Sequence, residues 1–258
     1  MSTEKTNEKG VLHIKKAVKR FGGKTVVNVD DIRIGTHRIE GLIGPNGAGK
    51  STLINLITQK HKLTEGEIFY YRGDETIAVS SKNINTLAKL NLVRSNQIIQ
   101  DFASLTIIDS MVLSNTELPH EKFYKLFNEK QVREAAREKI DFYLDYFHFD
   151  FPQGHALSAG EKKLLDIIRC LILSPSFLLL DEPTAGLPQD QTDKVIDLLH
   201  KKTAEENMRV LIVEHDLDLI WRVCDHIHFM AEGQILIQGT PEEIKGNETV
   251  KNKYIGEG

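Results

Sequence analysis

Cysteine is scarce in this sequence. Cys170 and Cys224 are the only two among 258 residues. They stand too far apart for a CxxC or zinc-ligand pattern, and reduced, buried thiols in an intracellular setting are expected. Long apolar runs are missing too. The longest, such as residues 177–180, fall far short of the roughly 20 residues that span a bilayer, so the chain is not expected to enter a membrane itself. Neither sign of charge dominates. A formal net charge of -4 demands no basic face, and no nucleic-acid partner is expected. Residues 1–10 are polar and read as a disordered lead, with no apolar stretch of signal-peptide length behind them.

What is present is an ordinary globular composition, 40 % hydrophobic and 27 % charged, in a chain long enough to bury a core. Residues 11–18 and 25–34 read as strands around the turn Phe21-Gly22-Gly23-Lys24. A short apolar strand at 41–43 leads into a glycine-rich loop and a helix from Lys50 to about Gln59. A further β-like stretch covers 66–79. The middle changes character: 121–147 and 160–173 carry apolar residues at helical spacing. Runs at 177–180 and 210–213 read as buried strands, with an amphipathic helix at 192–202 between them. That strand–helix–strand order predicts an α/β fold with a parallel sheet and crossover helices.

Gly44-Pro45-Asn46-Gly47-Ala48-Gly49-Lys50-Ser51 fits GxxxxGK[ST]. Four fixed positions at ordinary residue frequencies match by chance about once in a hundred chains of this length. Each position has a physical reason. Backbone N–H groups can wrap a polyanion only where no Cβ intervenes. The helix that follows aims its N-terminal donors and dipole at the same phosphates. Lys50 supplies a cation for the β- and γ-phosphates, Ser51 a hydroxyl for Mg²⁺, and Thr52 would sit next to the α-phosphate. A phosphate cradle fixes the ligand class and leaves the function open.

Three further motifs narrow it. Phe177-Leu178-Leu179-Leu180-Asp181-Glu182 is an apolar strand ending in two carboxylates, at the strand end where open α/β sheets bind ligands. Asp181 is placed to hold Mg²⁺ and Glu182 to polarise a water. Val210-Leu211-Ile212-Val213-Glu214-His215 repeats the arrangement, with His215 able to reach a phosphate or to orient Glu182. Leu157-Ser158-Ala159-Gly160-Glu161 opens the 160–173 helix. Ser158 and Glu161 fit a capping box, and the same helix start offers a second anion grip. His226 and His228 alternate along a later β-like run and read as structural.

GPNGAGKST, LSAGE, LLLDE and EHD, in this order, resemble the Walker A, signature, Walker B and switch-histidine motifs of ABC ATPases. The resemblance covers about residues 11–255 and is closest to subunits of branched-chain amino acid importers, with RFGG, DEPTAGL, EHDLDLI and GTPEEI as cues. The lipopolysaccharide-export ATPase is similar in several places, and a non-transport ABC ATPase is the remaining alternative.

The resemblance implies a P-loop NTPase fold: a RecA-like, mostly parallel sheet with flanking helices, an antiparallel β subdomain and an α-helical subdomain. Residues 11–97 and 174–240 would form the β subdomain and core, 98–173 the helical subdomain and 241–258 a C-terminal extension. It implies ATP hydrolysis with Mg²⁺, Gln97 as a metal and water contact, and Phe21 as the ring stacked on adenine. Asn46, Gly47, Gly49, Lys50, Ser51 and Thr52 would bind nucleotide in one chain, and Ser158 and Gly160 would close on it from a second. It implies transmembrane permease partners and a peripheral place on the cytoplasmic membrane face. This sequence departs from the pattern at Ala159, usually Gly, at Glu161, usually Gln, and at Pro188, usually Asp or Asn. Residues 35–40 also lack the usual Gly-Glu before the P-loop strand.

Overall fold

The computed structural model describes residues 9–82, 87, 90–95, 129–149 and 157–255, with backbone alone at 9, 129–136 and 255. Gln97, Gln100 and residues 98–128 and 150–156 lie outside the described residues. The chain begins with strands β1 (Lys9–Phe21), β2 (Lys24–Ile34) and β3 (Ile39–Ile43), then helix α1 (Lys50–Ile57). Strands β4 (Glu65–Arg72), β5 (Glu75–Ala78) and β6 (Leu92–Arg94) follow, then helices α2 (Glu129–Phe147) and α3 (Ala159–Ile172). The last part runs β7 (Phe177–Asp181), α4 (Gln189–Glu205), β8 (Arg209–Val213), α5 (Leu217–Val223), β9 (His226–Ala231) and β10 (Gln234–Gly239). Two short helices end it, α6 (Pro241–Gly246) and α7 (Glu248–Ile255).

The strands form two sheets. One is four-stranded and antiparallel, in the order β2-β1-β4-β5; the other is six-stranded, in the order β10-β9-β3-β8-β7-β6. Within the larger sheet β9, β3, β8, β7 and β6 run parallel, and β10 pairs antiparallel to β9. Gly22 and Gly23, with φ 52° and 84°, make the two-residue turn between β1 and β2.

Strands β3, β7, β8 and β9 of the larger sheet are buried on both faces, and the period-two alternation of a strand serves both. Leu178, Leu180, Val210 and Ile212 enter one core with α3 to α5; Phe177, Leu179, Leu211 and Val213 enter the other, with α1 and the antiparallel sheet. Cys170 and Cys224 are free and buried in the first of these cores.

Several expectations shift. The 66–79 stretch is a hairpin, because Gly73 at φ 63° turns the chain between β4 and β5. β1 starts at Lys9, inside the expected 1–10 lead. β6 and β10 are edge strands that the apolar pattern did not single out. β6 is three residues long and β10 alternates exposed with half-buried positions over most of its length, so neither makes a run that stands out.

Candidate functional site

The glycine-rich loop follows β3, the strand lying between β9 and β8. Its glycines are required by space. A Cβ on Gly44 would come within 1.9 Å of the Met230 carbonyl oxygen, and one on Gly49 within 2.7 Å of that of Val26. Gly49, at φ 103°, is the N-cap of α1 and supplies no side-chain cap, and the first turn holds no acidic residue. The helix start therefore keeps its N–H donors and its positive dipole end for an anion. Lys50 is buried and donates to the carbonyls of Gly44 at 2.5 Å and Pro45 at 3.0 Å, which holds its ammonium against the loop. Asn46, Gly47 and Ser51 are exposed and Thr52 is half-buried.

The turn joining β9 to β10 braces this loop from behind. The Gly233 N–H donates to the Ala48 carbonyl at 2.9 Å, and the Gly233 carbonyl accepts from Asn28 at 2.7 Å. Glu232 in the same turn pairs with Lys253 of α7. Asn252 and Lys253 thereby wall a cleft beside Pro45, Asn46 and Gly47.

Strand register brings the other motifs to the same rim. Leu42, Val213 and Asp181 are partners across β3, β8 and β7, so the residues that follow all emerge at one edge. Asp181 is buried; its Oδ2 accepts from Arg94 Nη2 at 2.9 Å, its N–H donates to Ser95 Oγ at 3.0 Å, and its carbonyl accepts from Lys163 Nζ at 2.6 Å. Glu182 takes φ 49°, a left-handed conformation uncommon outside glycine, and its N–H bonds the Val213 carbonyl at 2.8 Å. That turn leaves its side chain part-exposed with Oε1 3.1 Å from His215 Nε2. Buried Glu214 ties the two strand ends together: its Oε1 accepts from the N–H and hydroxyl of Thr184, and its Oε2 from the His215 N–H.

Ser158 is the N-cap of α3 and forms the full capping box with Glu161. Its oxygen accepts from the Glu161 N–H at 3.2 Å, which leaves the hydroxyl proton for an outside acceptor. Gly160 lies against the loop after β7, where a Cβ would meet the Gly186 carbonyl oxygen at 2.2 Å. Pro188 is the N-cap of α4, a place where a missing N–H costs that helix no hydrogen bond. Phe21 is exposed at the end of β1, edge-on to His61 and beneath the Lys19 ammonium.

A family profile described as ABC transporter matches residues 27–185. The chain belongs to the ABC transporter family. It is one of the family's ATP-binding subunits, and ATP hydrolysis is the family's activity. The high-affinity branched-chain amino acid transport ATP-binding protein BraF of Pseudomonas aeruginosa is 31 % identical over 254 residues, 96 % of this chain and 98 % of that protein. LivG of Escherichia coli, of the same description, matches with the same identity and coverage. A probable LivG of Methanocaldococcus jannaschii is 31 % identical over 261 residues, 96 % of this chain and 98 % of its own. The ADP conformation of one ABC transporter cassette superposes with TM-score 0.79 at 27 % identity, over 96 % of this chain and 100 % of that one. A nucleotide-free cassette gives 0.77 at 29 %, over 96 % and 99 %.

For this ABC subunit the fit of a divalent cation can be read from the donor set. Ser51 and Asn55 share a face of α1 one turn apart. Arg94 joins Asn55 Oδ1, at 2.7 Å, to Asp181, so Ser51 stands on the face of that helix turned toward the Asp181 carboxylate. A hydroxyl and a carboxylate are hard oxygen donors of the kind Mg²⁺ takes, and the residues fit it.

Arg94, Lys163 and Glu214 were missed as functional positions in the sequence. The available signal was weak: Arg94 lies three residues before Gln97, Glu214 stands inside the EHD motif beside His215, and Lys163 sits among the apolar residues of its helix.

Proposed function

We propose that this subunit binds ATP with Mg²⁺ at the rim formed by β3, β7 and β8 and hydrolyses it as one half of a head-to-tail pair. The observation that carries the reading is the shared register of Leu42, Val213 and Asp181, which gathers the P-loop, both acids and His215 at one sheet edge. Lys50, the N–H groups of the P-loop and the start of α1 hold the phosphates; Ser51, Asp181 and Gln97 hold the cation. Mg²⁺ bound there would supply positive charge for the oxygens of the terminal phosphates. Glu182 draws a proton from the attacking water, and His215 holds Glu182 in place and faces the terminal phosphate. Phe21 stacks on the adenine. Ser158 and the N–H groups at Gly160 grip that phosphate from the second chain, so loss of phosphate releases the pair.

The names of the relatives support coupling to a transmembrane permease that carries branched-chain amino acids or related small polar solutes. In this reading the 98–173 subdomain, hinged near Gln97, receives a cytoplasmic helix of the permease. The subunit then lies at the cytoplasmic face of the membrane. No described helix is long and apolar enough to cross it. A second ATP-binding chain, identical or related, completes the pair.

The test is Glu182→Gln in the full chain with ATP and Mg²⁺. The variant should bind ATP and accumulate as a dimer on size-exclusion chromatography. Normal turnover in that variant would remove Glu182 from its role. A monomer that persists with the permease present would remove the split pocket.

A further inference from the structure

Arg94 is not among the residues assigned to the nucleotide or the cation, yet it holds the Asp181 carboxylate. Its Nη1 donates to Asn55 Oδ1 at 2.7 Å and to Thr58 Oγ1 at 3.2 Å, both on α1. Its Nη2 donates to Asp181 Oδ2 at 2.9 Å. Side-chain exposure is 8 % for Arg94 and 2 % for Asp181, so this pair escapes the screening that makes surface pairs weak. A guanidinium is planar, and fixing both of its ends fixes its plane. Ser95, the next residue, is fully buried and takes the Asp181 N–H, while its own N–H donates to the Leu179 carbonyl at 2.9 Å. Two consecutive residues at the end of β6 thus grip both the carboxylate and the backbone of the residue assigned to the metal.

A carboxylate offers two oxygens, and Arg94 occupies one. The anchors on α1 show that Arg94 is a fixture of this arrangement. Leaving the carboxylate would also strand a buried guanidinium. We propose that Arg94 is a positioning residue for the divalent cation: it locks the Asp181 carboxylate to α1, the helix that carries Ser51, and leaves Oδ1 as the oxygen offered to the metal. The proposal rests on the reading of Asp181 as a metal residue. It also gives the β6 end a second duty, since the strand that leads toward Gln97 fixes the geometry of Asp181.

Manganese affinity, read by electron paramagnetic resonance on the full-length protein with a non-hydrolysable ATP analogue, tests this. Nucleotide affinity in chelator and melting temperature are measured beside it. Partners behind a metal ligand typically set affinity by 10- to 100-fold. Arg94→Met should therefore weaken manganese binding by about tenfold or more, with metal-free nucleotide affinity unchanged, and Arg94→Lys should recover part of the loss. Removal of one member of a buried pair can unfold a protein. The double variant Asn55→Ala with Thr58→Val avoids that risk: it keeps both charges, frees the guanidinium from α1 and should weaken manganese binding in the same direction. Unchanged manganese affinity in the folded variants, with only a lower melting temperature, would make Arg94 purely structural and overturn the proposal. Asp181→Asn separates the two levels. If it also leaves manganese affinity unchanged, the metal reading of Asp181 fails. If it weakens manganese while the Arg94 and Asn55/Thr58 variants do not, only the positioning role fails.

Discussion

His215 and Glu182 meet at 3.1 Å between Nε2 and Oε1, although one follows β8 and the other β7. The contact depends on adjacency of those two strands and on the left-handed turn at Glu182. A carboxylate held by an imidazole at a strand end is suited to accept a proton from water. His215→Ala should cut ATP turnover by about 10²-fold or more, and Glu182→Gln by at least as much, the scale of positioned acid–base groups. Single-turnover rates measured beside nucleotide affinity check this; affinity should hold in both variants.

Glu40 and His228 form a second pair, buried within the sheet. Neither side chain is more than 1 % exposed, and Glu40 Oε2 lies 2.8 Å from His228 Nε2. Burial pushes the Glu40 carboxyl up, but the hydrogen bond and charge of His228, with the N–H groups of His37 and Gly35, outweigh it and bring it from the ordinary 4.5 to about 2. A depressed folded value gives stability that is complete above pH 4.5 and is lost as pH falls through about 2. Glu40→Gln should cost about 3–5 kcal/mol near neutrality, as for breaking a buried pair. The gap to the parent should narrow between pH 4.5 and 2 in urea denaturation.

Gly160 is confined by the loop after β7. Gly160→Ala would drive a Cβ to 2.2 Å from the Gly186 oxygen, where backbone must move. A loss of about 1–3 kcal/mol is expected, as for overpacking, together with reduced turnover. Gly246→Ala is the control: a Cβ there meets nothing within 4 Å, and stability should rise by about 0.4–1 kcal/mol. Melting curves of the two variants should move in opposite directions.

The capping box at Ser158 allows its two proposed duties to be separated. Glu161→Ala removes the Oε2 that accepts from the Ser158 N–H and leaves the hydroxyl in place. It should lower stability and spare most turnover. Ser158→Ala removes the cap, at about 0.5–2 kcal/mol, and with it the hydroxyl assigned to the partner's phosphate. Loss of turnover well beyond the loss of stability is the expected outcome for Ser158 alone. Equal turnover in the two variants would reduce Ser158 to a helix cap.

The P-loop was legible because its information is local: glycines, one lysine and a helix start lie within eight consecutive residues. Asp181 and Glu182 were legible because they end an apolar strand. The contacts that hold these residues were not. Arg94 reaches Asp181 across 87 positions of sequence, and Glu40 reaches His228 across 188. Both depend on strand order, which periodicity does not encode. The usual Gly-Glu before the P-loop strand is missing at 35–40, yet Glu40 sits within β3 and finds its partner His228 on β9. The fold class followed from alternating strands and helices. The β4–β5 hairpin did not, because Gly73 interrupts a stretch whose apolar pattern continues past it.

The two-sided burial of β7 and β8 constrains the chain in a particular way. Exchanging one aliphatic residue for another in these strands disturbs a single core. Deleting one residue of β8 would trade Val210 and Ile212 for Leu211 and Val213 between opposite faces and draw His215 back by about 3.3 Å. Residue count in these strands, more than their composition, therefore sets the reach of the imidazole, and relatives that preserve this chemistry should vary in strand content while gaining or losing length only in the connecting segments.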